Sequence, residues 1–199
     1  MTTVSVPAPT PLNAPPLLLR PWQDDDAPAL YEAIRESIES VGRFMPWCHP
    51  DYRLEEAQAW TAHCRASWLE GSMHDFAILT TEGRLLGAVG LNQLDYRNFR
   101  ANLGYWIRDS ARGQGYTALA ARTVAAFGFG SLALQRIEIV AAVDNLASQR
   151  CAEKIGGQRE GIARRRIWMH NEAHNAVVYG LVPDDLVQPA AAHQRTISS

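Results

Sequence analysis

The sequence predicts an α/β chain of the α+β kind, a mixed sheet with helices packed on its faces. Three observations carry this. Two early segments, and a third after Tyr116, repeat apolar residues at helical spacing. From about Asp75 to Arg108 the period drops to two, the spacing of half-buried strands. Glycine, proline and asparagine punctuate the segments, so that the order reads β-α-α-β-β-β-α-β-α-β-β.

The elements follow in chain order. "PLLLRPW" is a short apolar run ending at a proline, the first strand. "DDDAPALYEAIRESIESV" is the first helix, with an Asp as cap, Pro28 in the first turn, and Leu30, Ile34 and Ile38 on one face. "RLEEAQAWTAHCRASWLEG" is the second, with Trp60, Cys64 and Trp68 on one face and Gly71 closing it. "DFAILTTEGRLLGAVGLNQLD" gives two strands joined at Glu82-Gly83. "RANLGYWIR" gives a fourth strand, with Ala101, Leu103, Tyr105 and Ile107 on one face. A helix over about Tyr116 to Phe129 and the strand "QRIEIVAAV" follow. "NLASQRCAEKIGG" is a short helix with Asn145 as N-cap and glycines at its end. "GQREGIARRRIWM" and "NAVVYGLV" close the sheet.

Residues 1–16, rich in proline, threonine, serine and alanine, read as a disordered lead-in, and residues 188–199 as a loose tail. One domain, 17–187, lies between them. The chain has 199 residues, 47% hydrophobic and 20% charged, enough to bury a core without staples. A formal net charge of −2, with "ARRR" at Ala163–Arg166 as the densest basic run, argues against a nucleic-acid binder. Cys48, Cys64 and Cys151 form no metal-ligand or disulfide pattern, so no metal is expected and a reduced cytoplasm fits. No secretory signal and no run of ~18 apolar residues is read, so no membrane partner is expected.

The stretch "RDSARGQGYTALAART", Arg108 to Thr123, is a Gly-rich turn running into a helix. Glycines at 113 and 115 permit positive φ, and the helix start adds unpaired N–H groups and a positive dipole end. A phosphate or pyrophosphate is a fitting guest; a bare strand-to-helix turn is the competing reading. No Lys-Ser/Thr follows the second glycine, which excludes a Walker-type loop. No third glycine follows, and the strand before it lies in a meander, which disfavours a dinucleotide fingerprint.

The turn and its surroundings resemble the GNAT superfamily of acyl-CoA-dependent N-acyltransferases. The family pattern is Arg or Gln, two residues, Gly, one residue, then Gly or Ala. Here Arg112-Gly113-Gln114-Gly115-Tyr116-Thr117 ends in Thr instead. A second signature downstream is matched by Asn145, Ser148, Lys154 and Gly156. Gly157 stands where an aromatic is usual, and Ala152 where many members carry a tyrosine. "LLLRPW", "GRFMPWCHPDYRLEEAQAW", "ANLGYWIRDSARGQGY" and "NAVVYGLVPDDL" are similar to the branch that includes the ribosomal-protein-alanine N-acetyltransferases. The resemblance spans about Leu17 to Leu186. It implies a GNAT fold: a central, mixed, mostly antiparallel sheet of about seven strands with helices on both faces.

The resemblance also implies a chemistry. Acetyl-CoA serves as acyl-donor cosubstrate, and the acetyl group passes directly to a primary amine. The pyrophosphate of CoA sits on the backbone amides of about Gly113 to Thr117, with Gln114, Gly115, Tyr116 and the preceding Arg112 among the cofactor contacts. The pantetheine runs beside Tyr105 to Ile107, where the fourth and fifth strands splay apart. A backbone N–H near Trp106 or Ile107 holds the thioester carbonyl. Arg108, Asn145 and Lys154 join the cofactor contacts. With Ala152 in place of tyrosine, Ser148 becomes the candidate acid toward sulfur; the competing reading is a serine of a helix first turn. The usual Glu is replaced by Asn102, which leaves Asp95, Glu138 and His49 as candidate bases, or a water relay. Asp95 also suits a turn, and Glu138 an exposed pair with Arg136. Phe44, Met45 and Trp47, with Trp168 and His170, form the expected acceptor wall, suited to an apolar first residue or an amphipathic amine; Phe44 and Trp47 also suit a core staple between helices.

The acceptor stays open at this point between a protein N-terminus and a small-molecule amine such as a polyamine, amino sugar or antibiotic. A non-catalytic acyl-CoA sensor and a longer donor such as succinyl-CoA are the further readings. A homodimer through the late strands is a further expectation.

Overall fold

The structure, a computed structural model, describes residues 6–187. The tail expected over 188–199 lies outside the described residues. Strands β1 (Leu12–Ala14), β2 (Leu17–Pro21), β3 (His74–Thr80), β4 (Leu85–Asp95), β5 (Arg100–Ile107), β6 (Arg136–Ala142), β7 (Gln158–Met169) and β8 (Glu172–Leu181) form one sheet in the order β1-β2-β3-β4-β5-β6-β8-β7. Every pairing is antiparallel except β5 with β6. The eighth strand, β1, falls within the stretch expected to be a disordered lead-in: Leu12 pairs with Leu19 and Ala14 with Leu17. The pairing buries Ala14 against the core, a packing term that composition does not carry.

Helices α1 (Ala27–Glu36), α2 (Ile38–Gly42), α3 (Leu54–Glu70), α4 (Tyr116–Ser131), α5 (Leu146–Lys154) and α6 (Pro183–Val187) cover the two faces. Leu30, Ala33 and Ile34 of α1, with Ala57 and Cys64 of α3, pack on Ala77, Ala88 and Trp106. Ala121, Val124 and Ala125 of α4, with Ala152 of α5, pack on Ile78, Leu91, Leu103 and Ile137. Trp68, in the last turn of α3, reaches round to this second cluster and meets Phe76 edge-on at 5.0 Å between ring centroids. Among the described residues no helix is long and apolar enough to cross a membrane.

The first helix was expected to run unbroken through Ile38. It breaks instead at Ser37, whose buried Oγ donates to the Ala33 carbonyl at 2.8 Å. A side-chain hydroxyl that competes for the helix's own acceptors favours such a break. Gly71 ends α3 in the left-handed conformation (φ 70°) as expected. The turn between β3 and β4 closes through Gly83 N–H to the Thr80 carbonyl at 3.0 Å.

Strand β7 borders the sheet. Its register slips twice, between Arg159 and Gly161 and between Ala163 and Ile167.

Candidate active site

The Gly-rich turn leads from β5 into α4. Gly113 (φ 78°) and Gly115 (φ 80°) both lie in the left-handed region, where a Cβ is strained. Gly115 is the N-cap of α4, so the first-turn N–H groups have no partner within the helix. A Cβ at Gly113 would meet nothing within 4 Å, and one at Gly115 would lie 3.4 Å from Lys154 Nζ. An open turn with convergent amides and an adjacent ammonium is a cradle for a phosphate group. The helix break positions it: the Asp109 N–H donates to Ser37 Oγ at 3.2 Å and the Ser110 N–H to Glu36 Oε1 at 2.7 Å.

Strands β5 and β6 pair only over Arg100–Asn102 with Arg136–Glu138. Beyond that they diverge, and β5 runs on to Ile107 without a neighbour on that side. A groove of about 160 Å³ fills the gap, with Ile107, Arg112 and Thr117 at one end and Asn145 and Ser148 along α5. Asn145 caps α5, its Oδ1 accepting the Ser148 N–H at 3.1 Å. The hydroxyl of Tyr105 donates to the Ser148 carbonyl at 3.0 Å and lies 3.2 Å from Ser148 Oγ. Burial pushes the Tyr105 phenol well above its ordinary pKa, so it keeps its proton.

A larger cavity of about 530 Å³ opens on the α1–α3 side of the sheet. Met45, Tyr105 and Trp106 line both spaces, so the two meet on β5. Its walls are mostly apolar, including Leu30, Ile34, Trp60 and Met73, and no lysine or arginine lines it. Trp47 closes one side, edge-on to Trp106 at 5.7 Å.

Asp75 lies in the floor of this cavity. It pairs across the sheet with Gly90, which pairs with Gly104. A Cβ on Gly90 would come within 2.2 Å of Asp75 Oδ2, so the carboxylate occupies the space a side chain there would need. Trp22 Nε1 donates to Oδ1 at 2.7 Å. Burial pushes the carboxyl up to about 6, against the opposing pull of the Trp22 hydrogen bond.

Residues 16–158 match the acetyltransferase (GNAT) domain family. The chain belongs to the GNAT acetyltransferase family. It is an N-acetyltransferase of GNAT type. YdaF of Bacillus subtilis (strain 168), named as a candidate ribosomal N-acetyltransferase, is 29% identical over 171 residues, covering 83% of this chain and 91% of that one. The ribosomal-protein-serine acetyltransferase of Escherichia coli (strain K12) is 27% identical over 103 residues, 52% of this chain and 58% of that one. A candidate ribosomal-protein-serine acetyltransferase from Vibrio cholerae has a TM-score of 0.78 at 29% identity, covering 87% of this chain and 98% of that one. A RimL ribosomal L7/L12 α-N-protein acetyltransferase in complex with coenzyme A has a TM-score of 0.82 over 88% of this chain and 99% of that one; at 20% identity it speaks for the fold alone.

Within this GNAT domain the structure gathers most of the expected cofactor residues: Ile107, Arg112, Thr117 and Asn145 line the groove, with Trp106 at the junction, and Ser148, the candidate acid, lines it beside them. Gly113, Gln114, Gly115 and Tyr116 form the turn and helix start, with Lys154 beside them. Phe44 lines the groove, Met45 both spaces and Trp47 the larger cavity.

Three expected residues stand elsewhere. The Arg108 guanidinium is buried and committed to Glu36 (Nε to Oε2, 2.8 Å), Glu32 (2.7 Å) and the Leu85 carbonyl (3.1 Å), so it braces the turn rather than meeting a ligand. Glu138 pairs with Arg136 (3.1 Å) and Arg100 (3.8 Å) and lines neither cavity. Trp168 is 70% exposed, out on β7. Of the other candidate bases, Asp95 accepts four hydrogen bonds, from Arg97, Asn98 and Arg100, as the anchor of its turn. His49 lines neither space and lies 3.2 Å from Glu56. His170 does reach the wall segment, its Nε2 lying 3.2 Å from the Arg43 carbonyl oxygen.

Asp75 and the Tyr105 hydroxyl are the site residues that the sequence did not disclose. Asp75 opens an apolar run and reads as a strand boundary. Tyr105 reads as one member of a buried face. Only the register across β3, β4 and β5 brings the first to the cavity.

Proposed function

We propose that this enzyme moves an acetyl group from acetyl-CoA directly to the α-amine of a protein or peptide N-terminus. The observation that carries this reading is the meeting of groove and cavity at Tyr105 and Trp106 on the unpaired stretch of β5. A thioester laid along the groove and an amine held in the cavity then approach each other at one point, which converts a bimolecular step into an oriented one.

The Gly-rich turn and Lys154 fit the phosphates of CoA, with the charged oxygens on backbone amides. Arg112 and Asn145 border the path of the remaining chain. The attacking amine must be neutral, and an α-amine of pKa ~8 is easier to free near pH 7 than a lysine of ~10.4. A backbone N–H of the Trp106–Ile107 stretch receives the developing oxyanion. The Ser148 and Tyr105 hydroxyls, protonated and adjacent, supply the proton that the leaving thiolate needs. The ribosomal-protein names of the relatives support a protein acceptor.

The reading is tested by thiol release from acetyl-CoA with N-terminal peptides, polyamines and aminoglycosides, alongside calorimetric CoA binding. Release with peptides is the expected outcome. Release with polyamines or aminoglycosides alone moves the acceptor to a small molecule. Tight CoA binding without release on any acceptor means a sensor.

A further inference from the structure

The acceptor cavity has a chemical character of its own. Its walls are apolar and aromatic, its volume of about 530 Å³ falls in the ~300–1,000 Å³ range of small-ligand sites, and the one carboxylate in its floor is Asp75. Its other titratable lining groups are Glu56 and His63 on α3, Tyr52 just before it, and Tyr105 on β5. Cys64 of α3 packs behind, and α1 contributes only Leu30 and Ile34 to the lining. Glu56 pairs with His49. The carboxylates that line this space are Asp75 and Glu56, and no lysine or arginine lines it.

We propose that the cavity receives the acceptor as a primary ammonium on an apolar, aromatic-sized body, and that Asp75 binds this ammonium and takes its proton. The proposal rests on the acetyl-transfer reading above and names its acceptor class and its base. The carboxylate leans over Gly90, and neighbouring strands lie ~4.8 Å apart, so the space above Gly104 on β5 is within a hydrogen bond or one water of it. Gly104 directly precedes Tyr105, where groove and cavity meet. Gly90 and Gly104 form a bare strip between the carboxylate and that junction, because neither carries a side chain to block it.

The proton ledger closes. One ammonium N–H breaks and an O–H forms on Asp75. The freed nitrogen pair attacks the thioester carbonyl carbon, and the C=O π pair moves to oxygen. When the carbonyl re-forms, the C–S bond breaks. The second nitrogen proton passes, through water, to the Ser148–Tyr105 pair as that pair delivers its own to sulfur, so the pair ends protonated as it began. Asp75 then releases its proton to solvent, one per amide formed. A carboxyl near 6 is still largely ionised at neutral pH and is a better base than an ordinary aspartate.

The test measures thiol release with a phenylalanine-led tripeptide amide, its serine-led counterpart and phenethylamine. The phenylalanine-led peptide is expected to exceed the serine-led one at least ~10-fold in kcat/KM. Asp75→Asn is expected to lower kcat ~10²–10³-fold and to remove the acidic limb near pH 6, with CoA affinity unchanged. Turnover of phenethylamine identifies a free amine as sufficient; turnover of the peptide alone identifies a chain terminus; both fit the proposal. Trp22→Phe keeps the carboxylate and removes its hydrogen bond, so the acidic limb moves to higher pH. A serine-led peptide used as well as the phenylalanine-led one, an Asp75→Asn enzyme within ~3-fold of wild type, or an unmoved limb in Trp22→Phe overturns the proposal. If no acceptor releases thiol while CoA still binds, acetyl transfer itself fails. Calorimetry of phenethylamine on the CoA-loaded protein then decides the cavity: binding that Asp75→Asn abolishes supports it, and absence of binding overturns it.

Discussion

Trp22 and Asp75, 53 positions apart in the chain, are joined by a single hydrogen bond of 2.7 Å that holds a carboxylate in the wall of a mostly apolar cavity. Burial raises its pKa from 3.8 to about 6. A carboxyl whose folded pKa is raised stabilises the fold below its unfolded pKa, and that stabilisation is lost as pH climbs through the folded value. Wild-type stability is therefore expected to fall between about pH 4 and pH 7 by up to ~3 kcal/mol from this group. Asp75→Asn, neutral throughout, is expected to flatten that fall and to raise Tm at pH 8 while activity drops. Urea melts of both proteins from pH 4 to pH 8 measure it; parallel pH dependences would show that Asp75 is not the buried acid described here.

Arg108 carries the opposite sign. Its partner Glu36 is held down to about 2 by the guanidinium and by the Ser110 N–H. The pair's stabilisation is complete above the ordinary carboxylate range and is lost as pH falls toward 2. Arg108→Met leaves the exposed Glu36 without its partner and is expected to cost about 1–2 kcal/mol at pH 7, a gap that narrows below pH 4.5. Denaturant midpoints at pH 7 and pH 3 test this.

Gly115→Ala forces a Cβ into a left-handed residue at a helix N-cap. The strain of about 1–2 kcal/mol falls on the cradle rather than the core. CoA affinity is expected to drop ~10-fold, with Tm lowered by only a few degrees. Calorimetric titration beside a thermal melt separates the two effects.

Tyr105→Phe removes a phenol that keeps its proton and touches Ser148. Its loss, like that of Ser148→Ala, is expected to lower kcat ~10–100-fold with little change in KM for acetyl-CoA. The double variant is expected to be no worse than the slower single one, since the two hydroxyls act as a unit. Additive losses would separate their roles. Turnover of Ser148→Ala within about twofold of wild type would remove Ser148 as the acid.

Local signals made the frame of the sheet readable before any coordinates. The alternation in "DFAILTTEGRLLGAVGL", the Gly71 stop and the Asn145 cap each act within a few residues of where they are written, and each stands where the sequence places it. The turn from Arg112 to Thr117 was equally legible, since its backbone chemistry is spelled by its own glycines. What escaped depends on distant partners. Leu12–Ala14 becomes a strand only because Leu17–Leu19 folds back on it. Arg108 becomes a brace because Glu32 and Glu36 arrive from α1. Asp75 faces the cavity only through the register with two glycines, a relation among three strands that no local window contains.

The sheet ends on a twelve-residue border strand, β7, with one side of its backbone facing outward. Left straight, such a border would invite a second copy to add itself strand by strand. Here the chain buckles between Ala163 and Ile167, Arg165 turns to φ 51°, and Arg164, Arg165 and Arg166 crowd the kink. A like copy approaching edge-on meets a bent ladder and repelling charge. A bent border carrying three adjacent arginines is thereby a poor template for strand addition.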